Sequence, residues 1–202
     1  MSRQLVLAST SKYRAELLRR LRLPFETRAP QVDEVIPPDE PPHDAALRLA
    51  RSKAEAVAHG ADVVVIGADQ VASLDGRVLR KPGSHRAALE QLEACAGRTV
   101  IFHTAAAVID GRDGSAATTV DVTEVDFARL GRSELDRYLA LEQPYDCAGG
   151  FKAEGLGIIL FSAIRSRDPT ALIGLPLIWV AATLRARGLD PLARDRAPAA
   201  HP

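Results

Sequence analysis

The sequence predicts an α/β protein, built either as one large domain or as two small lobes sharing a cleft. Three observations lead there. Apolar strand-like runs such as Leu5–Ala8 and Asp62–Ile66 alternate with amphipathic helical stretches such as Lys12–Leu21. The 202 residues are 47% hydrophobic and 26% charged, enough to enclose a sizeable core beneath a solvated surface. No internal repeat or long linker divides the chain, so residues 1–190 read as one unit, followed by a flexible Arg-, Pro- and Ala-rich tail at 191–202.

Taken in order, Leu5–Ala8 is the first strand, and it breaks into Ser9, Thr10 and Ser11. A helix is predicted over Lys12–Leu21, with Tyr13, Leu17 and Leu21 along one side. Phe25–Arg28 is a short strand, and the prolines between Pro30 and Pro42 make an extended loop. Asp44 is expected to cap a helix ending near Gly60. Asp62–Ile66 is the most hydrophobic strand; it runs into Gly67-Ala68-Asp69-Gln70, so Asp69 is expected just past its end. Val71–Leu74 can continue it to a tight turn at Asp75-Gly76. Ser84 caps a helix over about 85–94. Thr99–Ile109 and Thr118–Phe127 are two strands joined by a turn, and the phase shift from Val120/Val122 to Val125/Phe127 predicts a bulge. Ser133 is expected to cap a short helix to about Leu141. A glycine-rich loop at Cys147–Gly157, a strand at Ile158–Phe161 and a helix to about Arg187 complete the chain.

Composition narrows the function. A net charge of zero argues against a general nucleic-acid or membrane-surface binder. No run of ~18 apolar residues spans a membrane, and the start of the chain does not read as a signal peptide. Cys95 and Cys147 form no CxxC pair and suit a reducing cytoplasm. Of 26 basic side chains only Lys12, Lys53, Lys81 and Lys152 are lysines, which marks them as positions where a compact ammonium is wanted.

The P-loop, GxGxxG and HExxH patterns are absent from the sequence, and the five histidines lack ligand spacing. What remains is a strand that breaks into hydroxyls and opens a basic helix, an arrangement that suits an anion. The plainer alternative is Ser11 as an N-cap with Lys12 and Arg14 solvated. Asp69 has the placement of a catalytic carboxylate, or of a turn aspartate. Asp33 and Glu34 lie in the proline-stiffened loop; with Asp69 they suffice for a Mg²⁺-like ion completed by phosphate oxygens and water. Lys53, Lys81, Lys152 and Glu154 are charges at helix or loop positions, each readable singly as solvated. Together they make a kit for a nucleoside phosphate with a metal.

The stretches LVLASTSKYRAELL, VDE at Val32–Glu34, SKA at Ser52–Ala54, IGADQ at Ile66–Gln70, Lys81-Pro82, CAGGFKAEGLG at Cys147–Gly157 and IGLPL at Ile173–Leu177 resemble the Maf family of nucleotide pyrophosphatases, in the family's order. Gln70, the CAG triplet and RDPTALIGLPL resemble the branch acting on 7-methyl-GTP, whereas branches acting on dTTP and UTP carry Thr after the aspartate. The resemblance implies a mixed twisted sheet flanked by helices, with two lobes around a central cleft. It implies hydrolysis of a nucleoside triphosphate to the monophosphate and diphosphate with a divalent cation, Mg²⁺ or Mn²⁺. It makes Asp69 the proton acceptor, Tyr13, Gln70 and Glu154 the substrate-selecting residues, and Ser9, Arg14, Glu34, Lys53 and Lys81 polar residues of the cleft; the chemistry of those residues then expects Ser9, Arg14, Lys53 and Lys81 on the phosphates and Glu34 with Asp69 on the metal. A homodimer is compatible with it, although the sequence shows no apolar interface stripe. Lys12 departs from the family, which has Pro there. Two other readings stay open: a nucleotide-binding regulator of cell division without turnover, and a pyrophosphatase for another base, dTTP, UTP or ITP.

Overall fold

A computed structural model of the chain describes residues 3–60, 62–145 and 147–193. Of the expected tail, residues 194–202 lie outside the described residues. The strands are β1 (Gln4–Ala8), β2 (Glu26–Arg28), β3 (Val63–Leu74), β4 (Arg77–Leu79), β5 (Thr99–Asp110), β6 (Ala116–Phe127) and β7 (Phe161–Arg165). The helices are α1 (Lys12–Arg19), α2 (Pro42–Glu55), α3 (His85–Cys95), α4 (Arg132–Glu142) and α5 (Leu177–Ala186). The strands form one mixed sheet in the order β2-β1-β3-β5-β6-β7, with β4 also on β3. β1 pairs in parallel with β2 and β3, and every other pairing is antiparallel.

β3 organises the molecule. Its even-numbered residues face one side of the sheet. Val64, Ile66 and Ala68 pack with α1 and α5, while Ala72 and Leu74 pack with α3 and α4. Two lobes therefore share this face. The odd-numbered Val63, Val65 and Val71 turn to the opposite face, against Ala45, Ala46, Ala50 and Ala54 of α2. Alanines at the contact let α2 lie close to the strand. Gly67 is where it lies closest: an added Cβ would stand 2.2 Å from the Ala50 carbonyl oxygen and 2.6 Å from the Ala54 nitrogen.

The structure corrects several expectations. Gly67–Gln70 is strand, not the end of one. β5 pairs with β3 from Val64↔Asp110 to Ser73↔Ile101 and overrides the weak strand propensity of Gly and Asp. Asp69 thus sits within a 12-residue strand. Asp44 does not cap α2. The helix starts on Pro42, whose missing N–H costs nothing in a first turn, and Asp44 instead meets His43 Nδ1 at 3.0 Å. Ser133 lies inside α4, whose start is closed by Glu134 accepting from the Gly131 amide at 2.8 Å. β5 and β6 pair without interruption, so the phase shift in β6 is no bulge. Val120 packs toward α2 while Val125 and Phe127 enter the α3/α4 core, because different parts of both sheet faces are covered. The register shift lies instead between β6 and β7, at Asp126/Phe127. Leu156–Leu160 is a 3₁₀ turn that leaves Ile158 and Ile159 half exposed, and the strand begins only at Phe161. Ser11, Ser84 and the Asp75-Gly76 turn are as expected. The two serine hydroxyls accept from Arg14 N and Ala87 N, and the turn has φ of 49° and 78°.

Candidate active site

The ladder between β1 and β3 ends at Gly67, and the ladder between β4 and β3 starts at Ala72. Residues 68–71 are therefore paired with a strand on one edge only. Around this notch opens a cleft of about 900 Å³, a size that takes a nucleotide. Its wall includes Ser9, Tyr13, Arg14, Glu34, Lys53, Asp69, Gln70, Lys81 and Glu154, the nine residues that the sequence reading settled on; Asp33, the other carboxylate of the proline-rich loop, is not among the lining residues and instead accepts from Val35 N at 3.0 Å.

Separate elements bring them there. β1 delivers Ser9 at its carboxyl end, and the Ser9 hydroxyl accepts from Ser11 N at 3.1 Å and Arg14 Nη1 at 3.5 Å. Arg14, in the first turn of α1, also donates from Nε to the Gly174 carbonyl at 2.9 Å. Loss of solvation lowers the Arg14 pKa, and the charges of Asp69 and Glu34 oppose that shift. Arg14 is thus held by the fold rather than solvated. Tyr13 is half-buried, with Lys12 Nζ 5.0 Å from its ring centroid.

The charged centre is Lys53. It sits on the buried side of α2, only 5% exposed, beside the 8% exposed Asp69. Its Nζ lies 2.5 Å from Asp69 Oδ1 and 2.6 Å from Glu34 Oε1. A buried ammonium and a buried carboxylate are tolerable only as a pair. Glu34 is exposed, and the hydrogen bond from Lys53 holds its carboxyl below the ordinary range. The proline-rich loop thereby docks onto α2.

Gln70 follows Asp69 but leaves the strand on the opposite face, as strand alternation requires. Its Nε2 donates to Thr104 Oγ1 at 2.9 Å and to the Ala171 and Leu172 carbonyls at 3.0 Å each. Those carbonyls belong to a 3₁₀ turn, Ala171–Ile173, that leads into α5. Behind the turn, the buried Asp168 accepts from Thr170 N and Oγ1 and from Ile178 N, so the RDPT stretch caps α5. Glu154 is exposed on the glycine-rich loop. Glu142 of α4 anchors that loop, accepting from Leu156 N at 3.1 Å and standing 3.7 Å from Lys152 Nζ.

Sequence reasoning missed Arg80 and Thr104. Arg80 lines the cleft and donates to the Ile36 carbonyl at 3.1 Å; its only signal was adjacency to Lys81. Thr104 is fully buried and becomes visible only through the register that sets it opposite Gln70.

Glu34 and Asp69 fit a hard divalent cation. They come from two segments onto one cleft, with the Lys53 ammonium in contact with both. Among the described residues no group of three or more His, Cys, Asp or Glu forms a self-sufficient metal cage. A Mg²⁺-type ion here would take two carboxylates from the protein and the rest from phosphate and water. The cleft as a whole sets a carboxylate beside buried cations, which suits attack on a polyanion.

The sequence model of one family, described as Maf-like protein, matches residues 4–187. A protein of Burkholderia pseudomallei (strain 1710b) named 7-methyl-GTP pyrophosphatase is 53% identical over 203 residues, covering 98% of this chain and 93% of the relative. One of the same name from Xanthomonas campestris pv. campestris (strain 8004) is 54% identical over 191 residues, covering 94% of this chain and 99% of that one. Among solved structures, a nucleoside-triphosphatase / dITP/XTP pyrophosphatase from Mycobacterium abscessus matches with 19% identity and a TM-score of 0.43, over 95% of this chain and 99% of that chain.

Proposed function

The chain belongs to the Maf-like protein family, and from that membership we propose that its cleft hydrolyses 7-methyl-GTP to the monophosphate and diphosphate. The observation that carries this is the Lys53–Asp69–Glu34 cluster, set in one cleft with Arg14, Lys81, Tyr13 and Gln70. A carboxylate among cations serves the phosphates, and an aromatic ring with polar neighbours serves a base.

In this reading a water molecule attacks the α-phosphorus, and Asp69 takes its proton as the new P–O bond forms and the bond to the diphosphate breaks. Lys53 orients the Asp69 carboxylate. Ser9, Arg14 and Lys81 hold the phosphates, and Arg14 is pre-positioned by its bond to Gly174. Glu34 and Asp69 would hold Mg²⁺ or Mn²⁺, which when bound supplies charge neutralisation on the phosphate oxygens. Tyr13 offers its ring face to the base, and the carboxylate of Glu154 favours one carrying positive charge, as 7-methylguanine does.

Steady-state assays with diphosphate detection, in Mg²⁺ or Mn²⁺, test this reading. The expected order is 7-methyl-GTP above dTTP, UTP and ITP, with Asp69→Asn slower by about 100-fold or more. Faster turnover of dTTP or UTP would overturn the choice of base, and an unimpaired Asp69→Asn the choice of catalytic residue. Tight binding without product would favour the regulatory alternative. We also assign the protein to the cytoplasm, on the placement of Cys95 in the core and the absence of a CxxC pair, and give it no nucleic-acid partner on its zero net charge. Among the described residues no helix is long and apolar enough to cross a membrane. Homodimerisation rests on the family resemblance alone, and sedimentation analysis tests it.

A further inference from the structure

We propose that Thr104 is a positioning residue that, through Gln70, makes the cleft read hydrogen-bond donors on the edge of the base. The inference rests on the nucleotide reading above and concerns how that cleft tells one purine from another.

The geometry is directional. Thr104 Oγ1 donates to the Ala171 carbonyl at 3.0 Å, which leaves a lone pair on that oxygen to accept from Gln70 Nε2 at 2.9 Å. The chain of donation therefore runs one way, from Gln70 to Thr104 to a main-chain carbonyl. Gln70 Nε2 also lies 3.0 Å from each of the Ala171 and Leu172 carbonyls. Carbonyl oxygens only accept, so the flipped amide would press Oε1 against two oxygens of its own kind. The orientation is thus settled by chemistry. The amide nitrogen is spent on the protein, and the oxygen is the polar atom that Gln70 offers to the cleft.

Thr104 can do this because it is fully buried and lies directly across the β3–β5 ladder from Gln70. Cross-strand partners project from the same face. The 3₁₀ turn at Ala171–Ile173 packs over that face and is itself held by the buried Asp168. The orientation of one side-chain amide is therefore set by two strands and the segment leading into α5.

An oxygen from Gln70 and a carboxylate from Glu154 give the cleft two acceptors. A guanine-type edge answers with adjacent donors, N1–H and the exocyclic N2–H₂. Hypoxanthine has only the first, and adenine presents an acceptor at N1. Polar groups that a bound base covers and the wrong base leaves unpaired are what make such discrimination strong.

The test compares 7-methyl-GTP with its 7-methylinosine counterpart, which lacks only the 2-amino group, in wild type, Thr104→Val and Thr104→Ser. Wild type is expected to prefer 7-methyl-GTP in kcat/KM. Thr104→Val is expected to reduce that preference by about 10-fold, through a higher KM for 7-methyl-GTP, and Thr104→Ser, which keeps the hydroxyl, to restore it. A folded Thr104→Val with the wild-type ratio overturns the proposal and leaves the proposed activity standing. If wild type hydrolyses neither nucleotide, the activity reading fails instead. Hydrogen exchange of the Gln70 side-chain amide, followed by NMR in the ligand-free protein, then decides the positioning role. Faster exchange in Thr104→Val but not in Thr104→Ser upholds it, and equal exchange in all three overturns it.

Discussion

At the scale of single residues, Lys53 does the most. Its ammonium is the partner of the buried Asp69 and the anchor of the exposed Glu34. Breaking a buried ion pair from one side leaves the other charge stranded, so Lys53→Met should cost about 3 kcal/mol in urea unfolding and abolish hydrolysis. The sign of the pH effect follows from Glu34. Its folded pKa lies below its unfolded one, mainly through the Lys53 hydrogen bond. The contact therefore contributes fully above the ordinary carboxylate pKa and is lost as pH falls through the lowered value. An NMR titration of the Glu34 carboxyl should show a midpoint below that of a free glutamate, and Lys53→Met should move it back up. Little of this was legible in the sequence. Lys53 in a helix reads as a surface lysine, and only the approach of α2 to the sheet buries it. Asp69 drew notice for being next to a hydrophobic run, but as the end of a strand rather than its middle.

Elements set those residues in place. α2 carries Lys53 to Asp69 because Gly67 lets the helix touch the strand. Gly67→Ala would drive a methyl group into the Ala50 carbonyl and the Ala54 amide, backbone atoms that cannot swing away. The expected cost is about 3 kcal/mol by chemical denaturation, with an equally clear loss of activity as Lys53 is displaced. Asp168 has a comparable duty for α5 and for the turn that orients Gln70. Asp168→Ala removes an acceptor from three donors and should cost about 2 kcal/mol. Where an element follows from its own sequence, it was predictable: the serine caps of α1 and α3 and the Asp75-Gly76 turn are local chemistry. Where tertiary contact decides, it was not. Ile158–Phe161 reads as a strand, yet Gly157 is pressed against the Lys152 backbone and Leu156–Leu160 coils into a 3₁₀ turn.

For the whole molecule, the cleft exists because one sheet changes neighbours along β3. Parallel pairing to β1 stops, antiparallel pairing to β4 has yet to begin, and the cleft proposed as the ligand site lies between. Two lobes meet there, so a bound nucleotide ties them together. Asp69→Asn, used to prevent turnover, should show this in a thermal melt. Saturation at about 100 times Kd adds roughly 2.7 kcal/mol, a rise of about 5–10 °C for a chain of this size. The α/β class could be read from the alternation of apolar runs and helical stretches, and the mixed sheet was implied by the family resemblance, but this change of neighbours could not be read, since pairing register leaves no mark on a single chain. One consequence concerns how such a protein can change. Asp69 and Gln70 are consecutive yet face opposite sides of the sheet, so the roles proposed for them put the chemistry on one face and the choice of base on the other. Substitutions at Gln70, Thr104 and the turn above them can retune the substrate while Asp69, Lys53 and α2 stay as they are. An insertion or deletion of one residue in β3 exchanges the two faces and destroys both tasks at once. New specificities in this scaffold should therefore arise by point substitution and never by length change in β3, a rule that a library of substituted and length-altered strands would show at the first round of selection.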